Sequence, residues 1–506
     1  MFGLTVCASV AGFVLIPKGF FPLQDTAFVL GTSQAAADIP HADMVAKHRA
    51  LADIIAADPA VLTVTHSVGM TGGSQTLANG RFWIVLNDRS DRDVSASGLI
   101  DRLRPRLAAV PGIQLYLRAA QDINIGAGQP RAQYQYVLKG NETAELYAWS
   151  QRLTSALQGE PLYRDLSSDL QLGANVIRMR IDRAAAARLG LTSADIDEAL
   201  YNAFGQRQIN EFQTDTNQYQ VVLEVDDDGR GHIETLQSFR LRSPLSGEMV
   251  PLAAVASIAP PGARPVSILH HGMLPAVNLS FNLAPGAPLG DAVARLEQVR
   301  QRIGMPAAIQ GTFLGSAQAF QEALAGQPWL ILAALLAVYI ILGVLYESLA
   351  HPLTILSTLP SAAIGALALL WLGGFDFSIM ALIGVILLIG IVKKNGILLI
   401  DFALAAQRTR GISAGQAIYE AALTRLRPIM MTTLAALLGA VPLMLGFGTG
   451  AELRQPLGVA VVGGLLLSQA LTLFTTPVVY LALDRLSRYR RPLAAVPGAA
   501  TPNGRP

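Results

Sequence analysis

Only one cysteine, Cys7, occurs in 506 residues, which excludes an intramolecular disulfide and any cysteine-rich metal site. Charge is scarce as well. Asp, Glu, Lys and Arg make up 15% of the chain against 52% hydrophobic residues, and the mean hydropathy is +0.40. That balance is too apolar for one ordinary soluble enzyme and places part of the chain in lipid. Nor is there an excess of one sign. With 38 basic and 36 acidic side chains the net charge is +2, without the basic footprint that neutralises phosphates, so nucleic acid is not an expected partner. The motifs of nucleotide and hydrolytic chemistry are missing too: there is no GxxxxGK[ST] loop, no HExxH and no GxSxG. Neither ATP, a cofactor nor a metal is expected, and the chain does not read as an enzyme. Its seven histidines are scattered, and the adjacent pair His270-His271 fits a strand or loop better than a metal site.

Long apolar runs are what the chain does contain. Five approach the roughly 20 residues that a bilayer-spanning helix needs, at 329–346, 353–371, 379–403, 429–445 and 457–483. A sixth, over 1–17, is shorter. It reads as a truncated membrane helix or as a signal-peptide core, and the absence of a basic leader and the poor cleavage site at Pro17-Lys18-Gly19 favour the first. Arg408, Arg410, Arg425 and Arg427 flank one connection, and Arg485, Arg488, Arg490 and Arg491 follow the last run, so the positive-inside rule puts both in the cytoplasm. Alternation then sends the long polar block before Trp329 to the other side. The Pro-, Ala- and Gly-rich end, 488–506, reads as a disordered cytoplasmic tail.

Within the polar block, period-2 patterns at 26–30, 61–68, 81–86 and 113–117 predict strands, and helical spacing covers 43–57 and 97–109. The order is βαββαβ, a split βαβ unit. A second copy starts with strand 134–139, helix 143–158 and strands 164–170 and 176–181. It finishes with helix 291–303 and strand 309–314. Between its parts, Thr192-Ser-Ala-Asp195 resembles a capping box opening a helix that ends near Phe204, with strands at 219–225 and 239–242, so 183–255 reads as an inserted subdomain. The predicted fold class is a multi-domain membrane protein, an all-α transmembrane bundle plus α+β subdomains of βαββαβ type and an insertion.

An ionisable group at mid-membrane costs on the order of 3 kcal/mol, so it normally has a partner and a purpose. The third apolar run holds Lys393, Lys394 and Asn395 at its centre. Snorkelling to an interface is the alternative, but the flanking apolar stretches are too long for both lysines to escape, and Lys394 is expected to face the bundle in a functional role. Asp401 reads as a solvated helix-end charge. Arg425, Thr432 and Thr433 on the next run are candidate partners, while Glu347 and Glu452 fall in loops and leave the bundle without a buried carboxylate. A lysine beside a carboxylate that takes up a proton changes its pairing, which couples proton passage to helix movement. In the polar block, Gly69-Met70-Thr71-Gly72-Gly73-Ser74 followed by Phe82 and Trp83 reads either as a pocket for varied apolar ligands or as a hairpin loop above core aromatics.

Three segments, Gly390-Ile-Val-Lys-Lys394-Asn395-Gly-Ile-Leu-Leu-Ile-Asp-Phe402, Leu345-Tyr-Glu-Ser348 and Leu426-Arg-Pro-Ile-Met-Met-Thr432-Thr433, closely resemble the resistance-nodulation-division exporters in their hydrophobe/amphiphile branch. Leu189-Gly-Leu-Thr192, Tyr201-Asn-Ala-Phe-Gly205 and Leu471-Thr-Leu-Phe-Thr-Thr-Pro477 look most like the MdtB/MdtC-type multidrug subunits. The resemblance implies two periplasmic porter subdomains, 18–125 and 126–182 with 256–325, a docking subdomain at 183–255 and a five-helix membrane region at 326–487. It implies export of drugs and other amphiphilic small molecules against protons across a bacterial inner membrane. A trimer joined to a periplasmic adaptor and an outer-membrane channel is implied as well. Lys394 matches the proton-relay lysine, Thr432 and Arg425 match supporting relay positions, and Asn395 adjoins the lysine in the same motif. Val68 and Met70 fall on the drug-contacting loop, where the family usually carries phenylalanines, and Trp83, beside Phe82, falls at a pocket aromatic. Such exporters have two similar halves, with paired relay aspartates in the first. The chain matches the C-terminal half, so an N-terminal half is expected from elsewhere. The alternative is a membrane-anchored docking subunit that binds an adaptor through 183–255 without transporting. A heavy-metal exporter is disfavoured, because Met70 stands alone without a methionine cluster.

Overall fold

In the computed structural model, the described residues are 2–69, 76–125, 131–172, 174–226, 233–265 and 267–489. Met70 and the tail from 490 onward lie outside them; residues 488 and 489, read as the start of that tail, still belong to the last helix. A first helix α1 (Phe2–Leu15) leads into the first α/β subdomain: β1 (Phe28–Ala35), α2 (His41–Ala56), β2 (Val61–Val68), β3 (Asn79–Leu86), α3 (Ala96–Ala108) and β4 (Ile113–Ala119). The strands are ordered β2-β3-β1-β4 with antiparallel neighbours, the split βαβ topology. Strict alternation makes one face of β1 and β3 apolar. Val29, Ile84 and Leu86 pack there against Met44, Leu51 and Ile55 of α2 and Leu99, Leu103 and Leu107 of α3, residues spaced to share one helix face. Ser95 caps α3, its Oγ accepting from Gly98 N at 3.1 Å.

The second subdomain corrects one strand assignment. Its sheet contains β5 (Tyr134–Lys139), β6 (Tyr163–Ser168), β13 (Leu269–His271), β14 (Leu274–Leu283) and β15 (Gln310–Leu314), covered by α4 (Thr143–Gln158) and α8 (Leu289–Arg302). The third-strand position belongs to β14, not to the predicted strand at 176–181. That segment, β7 (Ala174–Ile181), instead pairs with β12 (Ala256–Arg264) outside the sheet. Side-chain character explains the choice. Val277, Leu279 and Phe281 of β14 are buried in the core, whereas Arg178 and Arg180 of β7 are exposed and cannot cover it.

The insertion runs through α5 (Arg183–Arg188), α6 (Ser193–Phe204), a hairpin of β8 (Arg207–Gln213) and β9 (Gln218–Leu223), α7 (Ile233–Ser238), and the short pair β10 (Arg240–Arg242) and β11 (Met249–Pro251). Thr192 and Asp195 form the capping box on α6, with Asp195 N donating to Thr192 Oγ1 at 3.2 Å and Thr192 N to Asp195 Oδ2 at 2.8 Å. A small core of its own holds it, including Leu191, Ile196, Leu241, Leu252 and Val255.

The membrane part comprises α9 (Ser316–Tyr346), α10 (Ala350–Leu356), α11 (Leu359–Leu372), α12 (Ile379–Arg410), α13 (Ala414–Leu445) and α14 (Gln455–Tyr489). Among the described residues five helical stretches are long and apolar enough to cross a bilayer, counting α10 and α11 as one. The run predicted at 353–371 is thus broken. Ser357 Oγ donates to Thr354 O at 2.6 Å and Thr358 Oγ1 to Ile355 O at 2.8 Å, and Pro360 removes an N–H just beyond, so the chain leaves and re-enters the helix there. Trp329, Val344 and Leu345 of α9 are exposed, as lipid-facing side chains should be. Buried contacts in the bundle rely on small residues: a Cβ on Gly365 would come within 2.4 Å of Gly463 O, so α11 and α14 cross backbone to backbone.

Candidate functional site

Ser378 caps α12, and Gly411, in the left-handed region at φ 63°, ends it; Arg410 pairs with Glu420 at 2.8 Å across the turn into α13. Midway along α12 the three predicted polar residues separate. Lys394 is exposed and Lys393 half-buried, and among the described residues no hydrogen bond or ion pair reaches either. Asn395 turns the other way and is 8% exposed. Its Nδ2 donates to Thr433 Oγ1 at 3.1 Å and to Gln469 Oε1 at 3.4 Å, while Thr433 Oγ1 donates to that same Oε1 at 2.8 Å. Gln469 Nε2 then meets Met430 Sδ at 3.3 Å. Three helices, α12, α13 and α14, are joined by one polar cluster inside the bundle.

The relay positions predicted on α13 are placed differently. Thr432 is exposed and its hydroxyl donates to Ile429 O of its own helix at 3.1 Å. Arg425 is half-buried with its guanidinium 4.9 Å from the Phe402 ring centre, and its Nε is buried without a partner. No hydrogen bond joins Lys394 to Thr432, Arg425 or Asn395 among the described residues. Asp401, two helical turns beyond Lys394, is exposed as expected of a solvated charge.

The cleft residues do not converge either. Phe82, expected to contact substrate, is 1% exposed and packs in the first core, 4.1 Å from the His48 ring. Val68 pairs with Gly80, on the same face as Phe82, and packs against that core. Trp83 stands on the opposite face of the sheet and is half-buried, and Met70 lies outside the described residues. The main cavity lies elsewhere. It has a volume of about 390 Å³, is bordered by both subdomains, the chain following α1 and the α11–α12 connection, and is lined by Phe20, Phe21, Tyr134, Leu289 and Phe375 among others. None of Val68, Phe82 and Trp83 lines it. Thr433 was a candidate partner in the sequence, whereas Gln469 and this cavity were not singled out there. A glutamine inside the last apolar run was the available signal for Gln469.

A helical bundle whose Lys394 is exposed with no partner among the described residues, carrying two split βαβ subdomains and an insertion, defines a multi-domain membrane protein. The chain belongs to the AcrB/AcrD/AcrF family, whose model matches residues 1–484. Its fold is similar to that of a solved heavy metal efflux pump, with a TM-score of 0.84 and 24% sequence identity over 95% of this chain and 49% of that one. The chain therefore spans about half the length of that pump. The family is one of secondary transporters rather than enzymes.

Proposed function

We propose that this chain acts as the C-terminal half of a proton-motive-force-driven exporter of drugs and other amphiphilic compounds, in the hydrophobe/amphiphile branch. It sits in a bacterial inner membrane with its α/β part in the periplasm and exchanges substrate for protons. One observation carries the reading: Lys394 presents its ammonium group on an exposed face of α12, midway along an apolar helix, with no partner among the described residues. A charge at that depth requires cover and a counter-charge. Carboxylates from an N-terminal half supply both, and protonation of one of them releases Lys394 and lets α12 move against its new neighbour. The Asn395–Thr433–Gln469 cluster transmits that movement to α13 and α14, while Arg425 and Thr432 line the cytoplasmic approach.

The β8–β9 hairpin supports a partner for the insertion. Ile209, Phe212, Tyr219 and Val222 are all exposed on an isolated two-stranded ribbon, a surface that a neighbouring subunit of a trimer or an adaptor leading to an outer-membrane channel would bury. Likeness to a heavy metal efflux pump favours a second reading, export of a metal ion. Against it, the described residues contain no group of three or more His, Cys, Asp or Glu side chains able to hold a metal ion.

Co-expression with a matching N-terminal half and measurement of dye efflux from energised vesicles tests the proposal. Lys394→Ala should abolish efflux at unchanged protein level; undiminished efflux would sink the relay. Metal resistance without dye efflux would select the second reading, and adaptor capture without any efflux would select a docking subunit.

A further inference from the structure

Two side chains cross from the second subdomain to the first near the end of β6. Arg131, on the segment entering β5, donates to Gln34 Oε1 of β1 and to Ser168 O of β6, both at 2.8 Å. Gln171 Nε2 donates to Asn79 Oδ1 of β3 at 3.3 Å. Between Ser168 and Gln171 stands Asp169, half-buried, whose carboxylate accepts from Asn278 N of β14 at 2.8 Å. Among the described residues no ion pair reaches it.

The surroundings suit the neutral carboxyl better than the carboxylate. Asn278 Oδ1, Ser167 Oγ and Tyr147 Oη of α4 are all buried with no partner among the described residues, and Tyr147 is near enough to feel the Asp169 charge. A carboxylate offers only acceptors, whereas a protonated carboxyl brings a donor to the side of Asn278 that lacks one. Burial pushes the Asp169 pKa up to about 6, outweighing the Asn278 N–H and the Arg131 charge that pull it down. Arg131 faces Asp169 from the segment before β5; burial lowers its pKa, yet a guanidinium stays protonated. Tyr147 faces it from α4, and Tyr116 of β4 lies beyond Arg131; burial raises both phenols further above neutrality. Asp169 is therefore the member of this group that titrates in the mildly acidic range.

We propose that Asp169 is a pH-sensitive latch between the two α/β subdomains. Protonated, it stays buried while the Arg131 and Gln171 bridges hold. Ionised, it favours an arrangement in which the subdomains part at this junction and water reaches its carboxylate. The sign follows from linkage: the pKa is higher in the closed arrangement than the ordinary value near 4 that hydration restores. Stabilisation of the closed arrangement by the proton is thus complete below about pH 4 and lost as pH rises through about 6. In the exporter proposed above the latch would make parting of the subdomains sensitive to periplasmic pH; the latch itself does not rest on that reading.

The test uses the full chain in nanodiscs with Cys7→Ser and spin labels attached at Arg49→Cys on α2 and Glu145→Cys on α4, both exposed positions. Double electron–electron resonance then reads the distance between the subdomains at pH 4.5, 6 and 7.5. The ratio of short to long distances should fall by more than about tenfold from the lowest pH to the highest. Asp169→Asn keeps the shape and cannot ionise, so it should hold the short distance at every pH. Arg131→Gln keeps a donor for the neutral acceptors but removes the cation, and should move the midpoint up by about one pH unit. A distribution in the unaltered junction that ignores pH, or that lengthens on acidification, overturns the latch whatever the variants do. A pH response that persists in Asp169→Asn overturns it too, and if that variant does not fold, an unshifted midpoint in Arg131→Gln does so instead. No transport enters the measurement, so failure of the exporter reading would leave this result untouched.

Discussion

Asn395 Nδ2 donates to Thr433 Oγ1 at 3.1 Å inside the bundle, while Lys394, one residue earlier, is exposed with no partner among the described residues. Adjacent residues on a helix are separated by about 100° of rotation, so one motif serves two surfaces: an inward clasp and an outward charge. The two roles separate by mutation. Thr433→Val keeps the shape of the side chain but removes the hydroxyl shared by Asn395 and Gln469, and should lower stability by about 1 kcal/mol, the scale of hydrogen bonds within membranes. Thr432→Val loses only a bond to its own helix and should leave the melting temperature within about half a kcal/mol equivalent of the parent. Thermal unfolding of both variants in detergent checks this, and equal effects would show that the clasp is not a structural element.

Asp25 anchors the first subdomain next to the membrane. Its carboxylate accepts from Arg92 Nη2 at 2.9 Å and Nη1 at 3.2 Å, and from the backbone N–H groups of Ala96 at 3.0 Å and Ala27 at 3.2 Å. Burial by itself would raise its pKa; the bonds from Arg92, Ala96 and Ala27 outweigh burial and hold the carboxyl below its ordinary value. The side chain of Arg92 is fully buried, so Asp25→Ala would strand a cation and should cost about 3–5 kcal/mol. Because the folded pKa is the lower one, this contribution is complete above the unfolded value near pH 4 and fades as pH falls below it. Chemical unfolding of the variant at neutral pH is the measurement, and a loss under about 1 kcal/mol would rule out the anchor.

How much of this was legible follows from period. Where one face is buried and the other wet, the sequence shows it directly: β5 at Tyr134–Lys139 and α4 at Thr143–Gln158 have the predicted bounds, and the βαββαβ order of the first subdomain emerged from alternation alone. The third strand of the second sheet did not, because β7 and β14 are both extended segments and only packing decides which joins. The choice rests on Val277, Leu279 and Phe281 against Arg178 and Arg180. Lys394 was visible because charge in an apolar run is rare, yet the direction it faces depends on what packs beside α12. Phe82 and Trp83 illustrate the limit most sharply. Neighbours in sequence, they occupy opposite faces of β3, so an aromatic pair read as one pocket wall divides into a core residue and a surface residue.

The first core also contains a titratable group with no room for its charged form. His48 is 1% exposed between α2 and the sheet, its Nδ1 shares a 2.9 Å hydrogen bond with Ser33 Oγ, and its Nε2 is buried without a partner. Burial, and secondarily the nearby His66 ring at 5.1 Å, lower its pKa to about 4. Protonation would need a second acceptor, and a Cβ on Gly80 would already sit 2.6 Å from the imidazole, so the ring cannot shift to find one on that side. The unfolded chain takes up this proton near pH 6.5, well before the folded one, so stability is complete above that pH and drains away as pH falls toward 4, by up to about 1.4 kcal/mol per pH unit. His48→Leu cannot titrate and should flatten this part of the profile, whatever it does to stability at neutral pH. Unfolding of both proteins at pH 7.5, 6 and 5 is decisive: parallel pH slopes for parent and variant would mean that other groups, not His48, bind the extra proton on unfolding.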